Sequence, residues 1–128
     1  MLVHIILMAL MCVLVIAAAG VARKRADNWF PRHRRLALLA AGAGLTGIST
    51  MIIFKAVSGY PHFKSFHAVA GGVILFVLIL TPLFGMLVAR GKETVRGPHK
   101  VLGRVLAVLS VLAALTGVGR FLQITGRR

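Results

Sequence analysis

Four apolar stretches, each long enough to cross a bilayer as a helix, dominate this 128-residue chain. Residues 2–22 carry His4 as their only ionisable side chain besides Cys12, and residues 36–54 and 68–89 carry no charge. The fourth, residues 101–124, is broken by Arg104 and Arg120, both near enough to an end to snorkel. A helix of about 20 residues crosses a hydrocarbon layer of roughly 30 Å. With 59% hydrophobic residues and a mean hydropathy of +0.92, no soluble domain of this size could hide its apolar surface. The expectation is an all-α, integral membrane four-helix bundle of up-down topology. Its helices are predicted at about 2–22, 29–55, 65–90 and 98–124, in a single domain spanning 1–128.

The net charge of +14 could suggest nucleic acid, but its placement argues for lipid. Arg23, Lys24, Arg25, Arg32, Arg34 and Arg35 crowd the first connection, and Arg90, Lys92, Arg96 and Lys100 the third. The second connection holds only Lys55 and Lys64. The positive-inside rule then puts the first and third connections in the cytoplasm and both termini outside, in a plasma (inner) membrane. Arg120, Arg127 and Arg128 at the C-terminal end oppose this without reversing it. Nucleic acid is not an expected partner, and membrane lipid is. Residues 1–22 lack the basic start of a signal peptide and are expected to remain as a helix. One cysteine, Cys12, allows neither an internal disulfide nor a thiol-bound haem attachment motif.

The two basic connections resemble each other. "VARKRADNWFPRHRRL" and "VARGKETVRGPHKVL" both run from V-A-R through a polar stretch to a proline, a histidine, a basic residue and a leucine. His33 and His99 are 66 residues apart, and His4 and His67 are 63. This pattern predicts a tandem repeat of a two-helix unit. Its halves would be related by an axis along the membrane normal, so that equivalent residues share a depth. His4 would then face His67 near one surface, and His33 would face His99 near the other.

A pair of neutral imidazoles from facing helices is what a b-type haem iron needs for electron transfer, since both axial positions are filled. Each pair offers two donors, where zinc takes three or four. Gly71 lies one turn beyond His67 and Gly103 one turn beyond His99, small residues against which a flat macrocycle could rest. Arg32, Arg34, Lys100 and Arg104 lie around the inner pair, where propionates would need cations. His62 is set apart from His67: five residues of helix turn about 500°, so the two would point some 140° apart. It is expected in the outer loop, either solvated or in an outer substrate site with Phe63 and Lys64. A haem-free reading stands beside this one, a helical scaffold or subunit packing its partners on Gly42, Gly44, Gly47, Gly71 and Gly72.

At this point the chain resembles the cytochrome b561 family, most closely the helical core that elsewhere follows DOMON domains. "HIILM", "VARK", "WFPRHR", "HFKSFHAVAGG", "LTPLFG" and "PHKVLGR" are similar to the family's motifs, in order and with like spacing, over about residues 2–119. The resemblance implies two haem b, held by His4 with His67 and by His33 with His99, and an oxidoreductase moving electrons across the membrane. Family donors include ascorbate, and acceptors include monodehydroascorbate and ferric chelates; a redox protein is a further partner class. The chain departs from the family in showing four helices where members usually add one on each side, which leaves faces that a homodimer could cover. It also has Phe30 where some ascorbate-using members carry a lysine three residues before the second-helix histidine.

Overall fold

A computed structural model describes residues 2–62 and 65–126, with only the backbone at Arg120, Gln123, Ile124 and Thr125. The four apolar segments form helices α1 (Leu2–Lys24), α2 (Trp29–Val57), α3 (Phe66–Ala89) and α4 (Arg96–Thr125). Their exteriors are apolar: Leu2, Val13, Phe76 and Leu115 are each more than 60% exposed. Four helices long and apolar enough to span a bilayer, with such faces turned outward, make this an integral membrane four-helix bundle.

The connections are short, and local chemistry ends each helix. Arg25 (φ 47°) and Asn28 (φ 56°) both adopt left-handed backbone between α1 and α2. Asn28 takes the cap position of α2, without a side-chain capping bond. Trp29 N–H bonds the Ala26 carbonyl at 3.0 Å. So tight a reversal needs a residue tolerant of positive φ next to the helix, and Asn meets that need. Gly59 (φ 69°) follows α2, and the Ser65 hydroxyl caps α3 by accepting from Ala68 N–H at 3.2 Å. Gly91 (φ 87°) ends α3 while Lys92 N–H bonds back to the Leu87 carbonyl. A 3-10 turn at Glu93–Val95 leads into α4, where Arg96 pairs with Glu93 at 2.7 Å.

The helices stand in a ring. α1 packs on α2 and α4, and α3 packs on α4 and α2. Among the described residues the Cα traces of the diagonal pairs, α1 with α3 and α2 with α4, nowhere approach within 8 Å. The two sequence-adjacent hairpins, α1–α2 and α3–α4, are each tighter than the seams between them. Met11, Ile74 and Leu78 fill the middle with Val15, Ala40 and Leu106. Gly44 lets α2 into this core, because a Cβ there would lie 2.5 Å from both Leu78 Cδ2 and Met11 Sδ.

Leu78 and Met11 are at most 2% exposed, so they have little room to yield. Gly44→Ala is therefore expected to destabilise the bundle by about 1–3 kcal/mol through overpacking. At Gly42 a Cβ would meet nothing within 4 Å, and Gly42→Ala should be neutral or slightly stabilising. Thermal denaturation of the two variants in detergent checks the contrast.

Two histidine pairs across the bundle diagonals

The four histidines of the helices meet in two pairs. His4 of α1 and His67 of α3 have ring centroids 6.4 Å apart, with planes at 87°. His33 of α2 and His99 of α4 are 6.2 Å apart at 83°. The first pair lies at the end holding the N-terminus and the α2–α3 connection, the terminal end. The second lies at the end of the two basic connections, the basic end. Both pairs bridge diagonals whose backbones do not touch.

Each ring is anchored by its Nδ1, and the anchor comes from the other helix of the same hairpin. His4 Nδ1 donates to the Gly47 carbonyl at 2.7 Å, and His33 Nδ1 to the Ala18 carbonyl at 2.9 Å. In the second hairpin His99 Nδ1 donates to the Thr81 carbonyl at 3.0 Å, while His67 Nδ1 bonds the Thr116 hydroxyl at 3.2 Å. A carbonyl only accepts, so three of the rings carry their proton on Nδ1 and leave Nε2 with a free lone pair. The Thr116 hydroxyl lies 3.0 Å from the Leu112 carbonyl and 3.1 Å from that of Ala113. Its single hydrogen is taken there, so it too accepts from the ring.

The Nε2 atoms make no hydrogen bond, yet no half-buried side-chain nitrogen among the described residues is both enclosed and unpartnered. Each Nε2 therefore opens on accessible space. Two imidazoles binding one metal through Nε2, at metal–nitrogen distances of about 2 Å, would have centroids roughly 6 Å apart. Both gaps match that value. Among the described residues no cluster of three or more His, Cys, Asp or Glu side chains exists, so each site offers two imidazoles. That number suits the axial positions of a haem better than a tetrahedral ion.

The ring seats are residues that reasoning from the sequence missed. A Cβ at Gly85 would lie 3.0 Å from His99 Cε1, and one at Gly117 would lie 3.3 Å from His67 Cε1. The seats belong to the hairpin partner, not to the histidine's own helix. Gly71 and Gly103, chosen for lying on the histidines' own helices, open on free space instead. A sequence signal exists for the carbonyl acceptors rather than for the seats: fourteen residues separate His4 from Ala18, His33 from Gly47 and His67 from Thr81. At 1.5 Å per residue that is about 21 Å along each helix, the offset of one site from the other.

Arg32, Arg34, Lys100 and Arg104 are all exposed at the basic end, and the first two diverge around α2. Arg32 lines a hollow of about 420 Å³ with Trp29, Lys24 and Asp27, whereas Arg34 lines another with Phe30 and Arg35. Two residues of helix turn about 200°, which sends the two arginines to different faces. Trp29 lies 6.2 Å from the His33 ring and carries Arg25 over its face at 5.8 Å. At the other end the carbonyl of His62 accepts from Lys55 Nζ at 3.1 Å. Phe63 and Lys64, expected beside it, lie outside the described residues.

The sequence profile of eukaryotic cytochrome b561 matches residues 3–125. This chain belongs to the cytochrome b561 family. No curated protein and no solved structure matches it. As a family member it is a transmembrane b-type cytochrome of electron transfer, and the paired imidazoles with free Nε2 atoms fit a haem b. Gly85→Val would drive the His99 ring from its seat. The variant is expected to retain less haem b than the wild type, measured as pyridine haemochrome absorbance per mole of protein.

Proposed function

We propose that this cytochrome holds two haem b, one between His4 and His67 and one between His33 and His99, and passes electrons between the two faces of the membrane. The observation that carries this reading is the pair of ring-centroid separations across the diagonals, 6.4 and 6.2 Å, each between rings whose Nδ1 is already occupied. Haem b supplies reversible one-electron iron chemistry when bound. The chain's part is to hold and orient. Hairpin-partner acceptors fix each ring's tautomer and rotation, raise the basicity of Nε2 and leave it unpaired. The aliphatic core around Met11, Ile74 and Leu78 keeps water out between the sites.

Proton transport is not part of this proposal. The chain's only two carboxylate side chains, Asp27 and Glu93, stand in connections at the basic end, so no Asp or Glu relay runs through the spans. The donor and acceptor are small redox molecules or proteins, with a ferric chelate or a monodehydroascorbate-like radical as the acceptor class. Gly71 and Gly103 give the macrocycles room. Arg32, Arg34, Lys100 and Arg104 supply cations for propionates at the basic end, while His62, with Phe63 and Lys64, stands at the terminal-end exchange surface. The basic end faces the cytoplasm and both termini face outward, in a plasma (inner) membrane, where a homodimer would cover part of the lipid-facing surface.

Pyridine haemochrome analysis of the purified protein should give two haem b per chain, low-spin in both redox states. His67→Ala and His99→Ala should each lose one haem or turn it high-spin, and His62→Ala should keep both. One haem per chain in the wild type would remove one of the pairs, and none would leave a haem-free scaffold.

Orientation is tested separately, by single cysteines in a Cys12→Ser background. Ser58→Cys should react with a membrane-impermeant thiol reagent in intact cells, and Asn28→Cys only after permeabilisation. The reverse pattern would invert the topology.

A further inference from the structure

The four ring anchors follow one rule with one exception. The residue fourteen positions beyond each histidine offers its carbonyl to the ring of the hairpin partner: Ala18 after His4, Gly47 after His33 and Thr81 after His67. By this rule His99 should be followed by Ala113 as the acceptor for His67. The His67 ring instead bonds the Thr116 hydroxyl, and Thr116 lies 3.1 Å from that same Ala113 carbonyl. Thr116 is inserted between ring and backbone. Thr50 holds the same relation to Gly47, three residues on and donating to its carbonyl at 2.8 Å. There, however, the His4 ring keeps its direct bond to the carbonyl, at 2.7 Å. The Thr81 hydroxyl is turned away from His99, to the Val77 carbonyl. Of the four histidines, His67 alone depends on a side-chain oxygen.

We infer that Thr116 is a positioning residue that sets the electron affinity of the His4–His67 site through the His67 imidazole. This rests on the proposed haem binding by that pair. A hydrogen bond from Nδ1–H lends the ring imidazolate character and makes Nε2 a stronger donor, which favours the oxidised iron. A neutral hydroxyl at 3.2 Å takes up the Nδ1 proton less than a carbonyl at 2.7 to 3.0 Å does. The hydroxyl's own hydrogen, held by helix carbonyls, polarises it and keeps a lone pair turned to the ring. Gly117 completes the seat, since a Cβ there would press on His67 Cε1 at 3.3 Å. Thr116 and Gly117 thus supply, from adjacent positions, the acceptor and the space that the His67 ring needs.

Thr116→Val preserves shape and removes the acceptor; Thr116→Ser retains it. The readouts are an optical redox titration and the low-spin electron paramagnetic resonance of each haem, with the His4–His67 component identified by its loss in His67→Ala. In Thr116→Val that component should shift upward in midpoint, so that its reduced-to-oxidised ratio at a fixed potential rises by about threefold to tenfold. The His33–His99 component should not move, and Thr116→Ser should match the wild type. Loss of the first haem in the valine variant, with retention in the serine variant, would equally support the assignment. Equal effects of valine and serine, or no effect of either on a protein carrying both haems, would overturn it. A wild-type chain without two low-spin haems would instead defeat the underlying haem reading, so the two failures are told apart.

Discussion

The hydrogen bond from each histidine Nδ1 to the opposite helix of its own hairpin is the interaction on which the rest depends. A free imidazole at a helix surface has two tautomers and several rotamers, and only some of these turn a bare Nε2 toward a partner. An acceptor-only carbonyl removes the wrong tautomer. It also ties the rotation of one helix to that of its neighbour, for about 1 kcal/mol of net stabilisation per bond. Since the anchors of His4 and His33 lie within α1–α2, and those of His67 and His99 within α3–α4, each hairpin orients its own pair of rings. The two histidine pairs then form where one hairpin faces the other.

This division of labour explains why the seams differ. Close packing is needed inside a hairpin, where an anchor must span the distance between two helices. The looser seams between hairpins are where His4 faces His67 and His33 faces His99, the residues that would hold a haem b. Gly44, with α2 drawn into Leu78 and Met11, closes the bundle at mid-height. Among the described residues the one buried polar side chain is Ser110, whose hydroxyl bonds the Ala107 carbonyl at 2.9 Å and lies 3.6 Å from Cys12 Sγ. A tight middle with a histidine pair at each end suits the proposed reading, in which two planar groups would sit at separate depths in one narrow bundle.

The spans, the placement of charge and the matched depths of the histidines were legible in the sequence because they depend on length and hydropathy, which are linear properties. Pairing of His4 with His67 and of His33 with His99 followed from alternate helices running parallel. The seats were not legible in that way. Whether Gly85 or Gly71 lies against a ring depends on how far one helix is rotated about its axis. That rotation is set by packing with the hairpin partner, not by the helix's own pattern. The same holds for Arg32 and Arg34, neighbours in sequence that diverge around α2. Asn28, rather than the adjacent Asp27, caps α2 because the four-residue reversal between α1 and α2 takes positive φ at two positions, a backbone demand that outweighs side-chain capping preference.

If both sites hold haem, two opposing asymmetries act on their electron affinities. Exposed cations gather at the basic end, from Arg32, Arg34 and Arg35 to Lys100 and Arg104, and their field favours the reduced, less positive iron there. Salt and propionate pairing weaken that field without reversing it. The ring acceptors act the other way: both rings at the basic end bond main-chain carbonyls directly, which favours the oxidised iron, whereas His67 at the terminal end has only a hydroxyl. Charge therefore raises the basic-end site while the carbonyl anchors lower it, and the terminal-end site has less of each. The two contributions partly cancel, drawing the sites toward a common potential.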